Sequence, residues 1–190
     1  MNKSRAASPV LDASGQWLRG VRRSLSPNRD RRPPGTPVSM LVVHGISLPA
    51  GVFGGRYVED LFLNRLDVDA HPSFADLAGL RVSAHLLIDR AGSIVQFVPF
   101  DERAWHAGKS SFEGIEGCND FSIGVELEGT DEVAYSQNQY RSLAAVCTAL
   151  MQLCPSITRK RIVGHSDSAP GRKTDPGPAF DWSKLMALLR

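Results

Sequence analysis

A short, unbroken apolar run limits the possible folds more than any other feature of this sequence. Residues Met40-Leu41-Val42-Val43 are all apolar, and the last two are β-branched. Such a run lacks the alternation of a half-exposed strand and is typical of a strand buried on both faces. The sequence therefore predicts a sheet covered on both sides, with His44 at the end of this strand.

Four further segments are predicted to form strands, namely residues 82–88, 94–98, 121–127 and 161–163. The first two flank a short polar segment that contains Gly92, which is typical of a β-hairpin. The last strand is followed closely by His165. Two strands thus end near a histidine, at the place where sheet proteins collect functional groups.

Helices are predicted in three places. Ser136 and Gln139 have the spacing of a capping box, and the apolar residues that follow recur at helical intervals. A short helix is predicted around residues 58–64, and Asp181 is a suitable cap for a last one. Cys147 falls on the apolar face of the long helix and is predicted to fill the core.

Chain length favours one compact domain, because 190 residues suffice for a single core. Residues 1 to about 37 lack periodicity, are rich in arginine and end in Arg32-Pro33-Pro34-Gly35-Thr36-Pro37. Such a segment disfavours helix and central strand. We therefore expect a solvated arm, with the ordered core starting near Val38.

Composition narrows the possible partners and the cellular location. The net charge of +2 argues against a nucleic-acid-binding surface. No apolar run reaches the length of a signal-peptide core or a membrane span, which predicts a cytoplasmic protein without a membrane partner. The three cysteines are odd in number and lack paired spacing, so reduced thiols are expected.

A metal site is the chemistry that these residues favour. His44 and His165 both follow strands, and a catalytic zinc site needs three protein ligands with one position left open. Asp175, between a threonine and a proline, is the favoured third ligand. Asp167 is the alternative, since spacing does not separate a ligand from a carboxylate that stabilises a turn.

Hydrolysis at such a site also needs a proton shuttle and a cation. Glu126 and Glu128 lie two apart on a predicted strand and face the same way, so either is a candidate base. Lys173 is the candidate cation. Of the remaining histidines, His71 is expected at the surface and His85 in the core. For His106 three positions are left open: at the surface, behind the metal ligands, or in contact with the substrate.

Five motifs in order resemble one known family. The chain resembles the type 2 N-acetylmuramoyl-L-alanine amidases, in particular the cytosolic members that recycle 1,6-anhydromuramyl peptides, from about Trp17 to Trp182. The motifs are Leu41-Val42-Val43-His44, Arg81-Val82-Ser83-Ala84-His85, Trp105-His106-Ala107-Gly108, Asn119-Asp120-Phe121-Ser122-Ile123-Gly124-Val125-Glu126, and Gly164-His165 with Lys173-Thr174-Asp175-Pro176-Gly177.

The resemblance implies a role for individual residues. It implies one zinc ion per chain, bound by His44, His165 and Asp175. It selects Glu126 over Glu128 as the catalytic carboxylate, which deprotonates water and protonates the leaving nitrogen. Three further roles are implied: Lys173 supports the tetrahedral intermediate, and Trp105 and Arg81 contact the substrate.

The resemblance also implies a fold and a reaction. The fold is mixed α/β, a single domain with a central mixed sheet flanked by helices and a zinc groove on one side. Residues 17–190 would form this domain, after a flexible N-terminal extension of residues 1–16. The substrate would be a muramyl peptide, cut between the lactyl group and L-alanine during peptidoglycan recycling.

Two residues depart from the pattern of the family. Gly45 stands where close relatives have asparagine, and Gly117 where they have arginine, so contacts to the substrate are expected to differ. Three alternatives are a binding module without catalysis, a structural zinc site completed by Cys118, and an enzyme of the periplasm. The full set of predicted ligands, with Glu126 and Lys173, opposes the binding module, and the family resemblance opposes a structural site. The lack of a signal-peptide core and the odd number of cysteines oppose the periplasm.

Overall fold

A six-stranded sheet forms the centre of the protein in the computed structural model, which describes residues 10–189. Two further two-stranded sheets lie outside it. In chain order the strands are β1 Arg22–Arg23, β2 Arg29–Arg31, β3 Met40–Ile46, β4 Leu86–Ile88, β5 Ile94–Gln96, β6 Glu102–Ala104, β7 Ser111–Phe112, β8 Ile115–Glu116, β9 Ser122–Glu128 and β10 Ile162–Gly164.

Helices cover the sheet, and none of those in the described part of the chain is long and apolar enough to cross a membrane. The α-helices are α1 Tyr57–Phe62, α2 Gln137–Leu153, α3 His165–Ser168 and α4 Trp182–Leu188. Short 3-10 turns occupy Val68–Ala70, Pro72–Leu77, Cys118–Asp120 and Arg159–Arg161.

The central sheet is mixed, as the resemblance implies. Its order is β1-β5-β4-β9-β3-β10, with β4, β9, β3 and β10 mutually parallel. The predicted hairpin is present as the antiparallel pair β4 and β5, although both strands are shorter than predicted. In the register of β3 and β9, His44 lies opposite Glu126.

Both faces of β3 are buried, which confirms the prediction from its apolar run. Leu41 and Val43 pack on the side of α2 and α4, in the main hydrophobic cluster. Met40 and Val42 point to the opposite face, into a smaller cluster with Phe121. The alternation of a strand then places the side chain of His44 on the face of Met40 and Val42, away from α2.

Helix α2 supplies most of the cover on the first face. The predicted capping box is present, since the Ser136 side chain accepts from the Gln139 amide and the Gln139 side chain accepts from the Ser136 amide. Cys147 is fully buried on the inner face of this helix, as predicted. Asp181 caps α4 by accepting a hydrogen bond from the Lys184 amide.

The segment before Val38 is not the solvated arm that the sequence predicts. Strand β1 pairs with β5, and β2 pairs with β6. The guanidinium of Arg32 donates to the carbonyls of Asn119, Asp120 and Ser122. Local sequence patterns do not predict these contacts, because each partner lies more than sixty residues away. Strand β1 also consists of two exposed arginines, Arg22 and Arg23, and so lacks the apolar pattern of a strand.

The predicted extension, residues 1–16, lies partly outside the described residues. Within its described part, Leu11 pairs with Leu18 and packs against the main cluster. The Gln16 side chain donates a hydrogen bond of 2.7 Å to the Asp101 carboxylate. The boundary at residue 17 stays a prediction.

Candidate metal centre

Two parallel neighbouring strands bring the candidate histidines to one edge of the sheet. His44 is near the end of β3, and His165 starts α3 directly after β10. Because the carboxyl ends of parallel strands meet at the same edge, the two rings come together there. Asp175 reaches them from the loop after α3, which is tied back by a hydrogen bond from the Ser166 amide to the Asp175 carbonyl.

The three side chains converge on a single point. The Nδ1 atoms of His44 and His165 lie 3.0 Å apart, and Asp175 Oδ2 lies 3.1 and 3.2 Å from them. Ligand atoms that share one tetrahedral zinc at about 2.0–2.2 Å are roughly 3.3 Å apart. These side chains form the one group of candidate metal ligands in residues 10–189, and their spacing fits a small metal ion.

The electrostatics of the cluster favour the protonation states of metal ligands. Burial lowers the pKa of His44 to about 4, so the ring is neutral near pH 7. Burial alone would raise the pKa of Asp175, but the neighbouring rings of His165 and His44 hold it below its usual range. Neutral imidazoles and an ionised carboxylate are the forms that bind divalent metals.

His106 lies directly beneath the cluster, which is one of the three positions that the sequence left open for it. Its Nδ1 is 2.9 Å from Nε2 of His44, and its Nε2 is 3.2 Å from Oγ of Ser122. Burial lowers the pKa of His106 well below its usual range. Gly124 makes room for this ring, because an added Cβ would lie 2.4 Å from Cγ of His106.

Glu126 projects from β9 beside the cluster and is nearly fully buried. Its Oε2 atom has no hydrogen-bond partner among the described residues. Burial raises the pKa of Glu126 well above its usual range, the charge of Asp175 raises it further, and Lys173 opposes the shift. A buried carboxyl group with a free oxygen and a raised pKa is suited to proton transfer.

The side chain of Glu128 lies on the same face of β9 as that of Glu126, but its carboxylate binds backbone amides. Its carboxylate accepts hydrogen bonds from the amides of Gly54 and Arg90. Both oxygens are therefore engaged with the loops that follow β3 and β4. Of the two candidate bases, only Glu126 lies opposite a predicted metal ligand in the sheet register.

Asp167 also has a local partner. Its Oδ2 accepts a hydrogen bond of 2.7 Å from the Gly164 amide, at the start of α3. The carboxylate thus stabilises the turn that presents His165. The structure brings Asp175, rather than Asp167, to the two histidines.

The remaining predicted residues lie at different places. Lys173 is exposed, and its positive charge lowers the pKa of both His44 and Glu126. Trp105 is half-buried, and its indole Nε1 donates to Asp30 Oδ1 at 3.2 Å. Arg81 is exposed and borders a separate cavity of about 130 Å³.

A larger cavity, of about 520 Å³, lies next to the cluster. Arg172 lines it and donates to the Ala107 carbonyl at 2.6 Å. The same carbonyl lies 3.2 Å from Nε2 of His165, so Arg172, which lines the cavity, and His165 contact the same backbone group. Small and polar residues make up most of its lining: Gly108, Lys109, Ser110, Ser111, Glu116, Gly117, Ser168, Ala169 and Pro170.

The two glycines that depart from the family pattern have distinct settings. A Cβ at Gly45 would lie 2.4 Å from the hydroxyl oxygen of Tyr135, which fills that space and donates to the Pro176 carbonyl at 3.0 Å. Gly117 has a φ of 74°, a left-handed conformation that favours glycine. Cys118, which follows it, is buried and stands outside the metal-ligand group of the described residues.

His85 and His71 behave as predicted. His85 is fully buried, and its Nδ1 accepts from the Gly124 amide at 3.0 Å. The side chain of His71 caps a 3-10 turn by accepting from the Ser73 amide. The sequence analysis did not choose among the three positions for His106, although the small side chains of Ser122 and Gly124 on the same face of β9 were a signal that a neighbour packs there.

Comparison with known proteins places these features in a family context. The family model described as N-acetylmuramoyl-L-alanine amidase (Amidase_2) matches residues 34–178. The 1,6-anhydro-N-acetylmuramyl-L-alanine amidase AmpD of Escherichia coli strain K12 is 58% identical over 173 residues, which cover 91% of this chain and 94% of that protein.

Solved structures agree with this match. The crystal structure of a selenomethionine derivative of AmpD superposes with a TM-score of 0.91 at 56% identity, covering 95% of this chain and 99% of that one. The amidase AmiD of E. coli, in complex with the substrate anhydro-N-acetylmuramic acid-L-Ala-D-γ-Glu-L-Lys, has a TM-score of 0.59 at 27% identity. That match covers 95% of this chain and 65% of AmiD.

Proposed function

Since this chain belongs to the N-acetylmuramoyl-L-alanine amidase family, we propose that it is a zinc enzyme of peptidoglycan recycling. Its reaction is hydrolysis of the amide bond between the lactyl group of a 1,6-anhydromuramyl residue and the L-alanine of the attached peptide. The observation that carries this proposal is the convergence of His44, His165 and Asp175 beside a buried carboxyl group with a free oxygen. The names of the relatives supply the substrate class.

Two imidazoles and one carboxylate are a donor set that suits zinc and leaves a position for a reactant. Zinc held at this site supplies a Lewis acid that polarises the scissile carbonyl and makes water reactive near neutral pH. One ion per chain is proposed, since the described residues contain one such group. The bulk of the substrate would extend into the neighbouring cavity of about 520 Å³.

Glu126 is proposed to move the proton. It accepts a proton from the attacking water while the water oxygen bonds to the lactyl carbonyl carbon. When the carbon–nitrogen bond breaks, the same carboxyl group returns that proton to the alanine nitrogen. The products are a lactyl carboxylic acid and a peptide with a free amino group, and the raised pKa of Glu126 suits both steps.

Lys173 is proposed to stabilise the negative charge that develops on the carbonyl oxygen. Lys173→Met keeps the length of the side chain and removes its charge, and we expect kcat to fall by about 10²-fold, at the lower end of the loss for one oxyanion donor. Lys160, on a 3-10 turn with no role in the site, provides the matched control Lys160→Met. Equal kinetics of both variants in a substrate-cleavage assay would exclude Lys173 from catalysis.

Trp105 and Arg81 are proposed to contact the substrate. The support for Trp105 is that it directly precedes His106, whose ring contacts His44, and for Arg81 that it is exposed. For Trp105→Phe and Arg81→Gln we expect a KM raised about 3- to 10-fold with little change in kcat. The reason is that each variant loses binding energy that is equal in the substrate complex and in the transition state. Steady-state kinetics that match the wild type would remove the residue concerned from the binding site.

The test of the proposed function is cleavage of N-acetyl-1,6-anhydromuramyl-L-alanyl peptide by the purified protein, followed by mass spectrometry. Release of a peptide with a free L-alanine amino group is expected. The reaction should stop on chelation and return when zinc is restored. An intact, zinc-loaded protein that binds this substrate without cleaving it would instead favour a recognition module.

The cytoplasm is the proposed location. The three cysteines are free, and Cys118 and Cys147 are buried, which suits a reducing compartment. The muramyl peptide is the one proposed partner. Recovery of the untagged protein in the periplasmic fraction of cells would overturn the proposed location.

A further inference from the structure

We propose that His106 is a positioning residue for His44: a chain of hydrogen bonds from the Cys118 carbonyl through Ser122 and His106 holds the proton of His44 on Nε2. The Nδ1 lone pair of His44 is thereby directed at the point where the three ligand atoms converge. This inference rests on the proposed metal site. It adds a role for a buried histidine that neither binds the metal nor reacts.

The direction of the hydrogen-bond chain is set by Ser122, whose hydroxyl has a single proton to donate. The Ser122 hydroxyl donates to the Cys118 carbonyl at 2.5 Å, and both residues are fully buried. A carbonyl only accepts, so this bond fixes the direction of the hydroxyl. Toward His106, which lies 3.2 Å away, Ser122 Oγ is left to act as the acceptor.

The direction of this hydrogen bond then determines which nitrogen carries the proton in His106 and in His44. His106 donates from Nε2–H to Ser122, so a neutral His106 carries a lone pair on Nδ1. That lone pair lies 2.9 Å from Nε2 of His44, which is therefore the donor. With its proton on Nε2, neutral His44 presents a bare Nδ1, the atom 3.1 Å from Asp175 Oδ2.

The ring of His106 is held so that it keeps this orientation. Gly124 supports one of its faces, with no space for a Cβ. The ring of His44 packs edge-on at 5.0 Å between centroids, and the ring of His85 does so at 5.9 Å. The amides of His106 and Ala107 both donate to Asn119 Oδ1, at 3.1 and 2.8 Å, which fixes the backbone.

The same short segment orients both histidine ligands. The side chain of His106 accepts from Nε2 of His44, and the next carbonyl, that of Ala107, accepts from Nε2 of His165 at 3.2 Å. Both imidazoles consequently offer Nδ1 to the metal. Groups that fix a ligand in this way typically change metal affinity by 10- to 100-fold when they are removed.

The first test reads the protonated nitrogen directly in the metal-free protein. Two-bond ¹H–¹⁵N correlation spectra at pH 8 identify the protonated nitrogen of each histidine ring. We expect His44 and His106 to carry their protons on Nε2. A proton on Nδ1 of His44 in the wild type would overturn the proposal, and this result needs neither zinc nor substrate, so it stands apart from the amidase assay.

The second test compares two substitutions of similar size. His106→Leu removes the acceptor, whereas His106→Asn places an amide oxygen near the position of Nδ1. By competition with a chromophoric chelator, we expect Leu to raise the Kd for zinc by about 10- to 100-fold, and Asn to restore most of the affinity. In His106→Leu the His44 proton should also no longer be confined to Nε2.

Two outcomes of that comparison would contradict the proposal. Equal weakening in both variants would indicate that His106 acts through packing alone, and unchanged zinc affinity in His106→Leu would show that His44 needs no partner. Thermal unfolding of the metal-free variants reports any general loss of stability. Ser122→Ala provides an independent variant, for which a smaller loss of zinc affinity and a mixed tautomer of His106 are expected.

Discussion

Replacing Glu126 by glutamine is expected to lower kcat by about 10³-fold, within the 10²- to 10⁴-fold range of general acid–base catalysis. The amide has nearly the same size as the carboxyl group but neither accepts nor returns the proton. Glu126 is outside the group of metal ligands, so the zinc content of Glu126→Gln should equal that of the wild type. Single-turnover cleavage, with metal analysis of the same sample, measures both quantities.

Glu128→Gln is the matched control for this variant. Glu128 lies on the same face of the same strand, and its carboxylate accepts from the Gly54 and Arg90 amides. The glutamine oxygen still accepts a hydrogen bond, so we expect activity within a few-fold of the wild type. Full activity in Glu126→Gln together with loss in Glu128→Gln would exchange the roles of the two residues.

Replacing Asp175 by asparagine is expected to remove zinc and, with it, activity. The substitution keeps the shape of the side chain but removes the negative charge that balances a dication between two buried imidazoles. Because partners outside the ligand set already account for 10- to 100-fold in affinity, loss of a ligand charge should exceed about 10²-fold. Chelator competition gives the Kd, and cleavage should fall to the level of the chelated wild type.

Asp167→Asn is the control in the same loop region. Its oxygen still accepts from the Gly164 amide at the start of α3, so zinc binding is expected to stay near that of the wild type. If Asp167→Asn lost its zinc and Asp175→Asn kept it, the ligand assignment would be wrong. Partial loss in Asp167→Asn would measure how much the start of α3 contributes to the placement of His165.

Local patterns in the sequence account for the strands and helices near the centre. The apolar run of residues 40–43 predicted β3 because burial on both faces removes the usual alternation, and both faces are buried. Ser136 and Gln139 predicted the start of α2 because a capping box depends on two nearby residues. The two candidate histidine ligands came from the same kind of local information, because each follows a predicted strand.

The parts that the sequence did not predict depend on contacts between distant segments. Strands β1 and β2 are two and three residues long and are stabilised by pairing with β5 and β6. The choices between Asp167 and Asp175, and between Glu126 and Glu128, depend on which backbone amides lie near each carboxylate. His106 shows the same limit, since its position depends on the space above Gly124, which lies on a separate element, strand β9.

The pairing of β3 with β9 sets the separation between a ligand and the proposed base. His44 and Glu126 are directly opposite in a parallel register, and neighbouring strands are about 4.8 Å apart. A slip of one residue would turn Glu126 toward α2. Asp175 and Lys173, in contrast, come from a loop. Changes in the length or sequence of this loop during evolution can therefore alter metal preference and substrate range. The distance between His44 and Glu126 does not change with the loop, because the pairing of two sheet strands sets it.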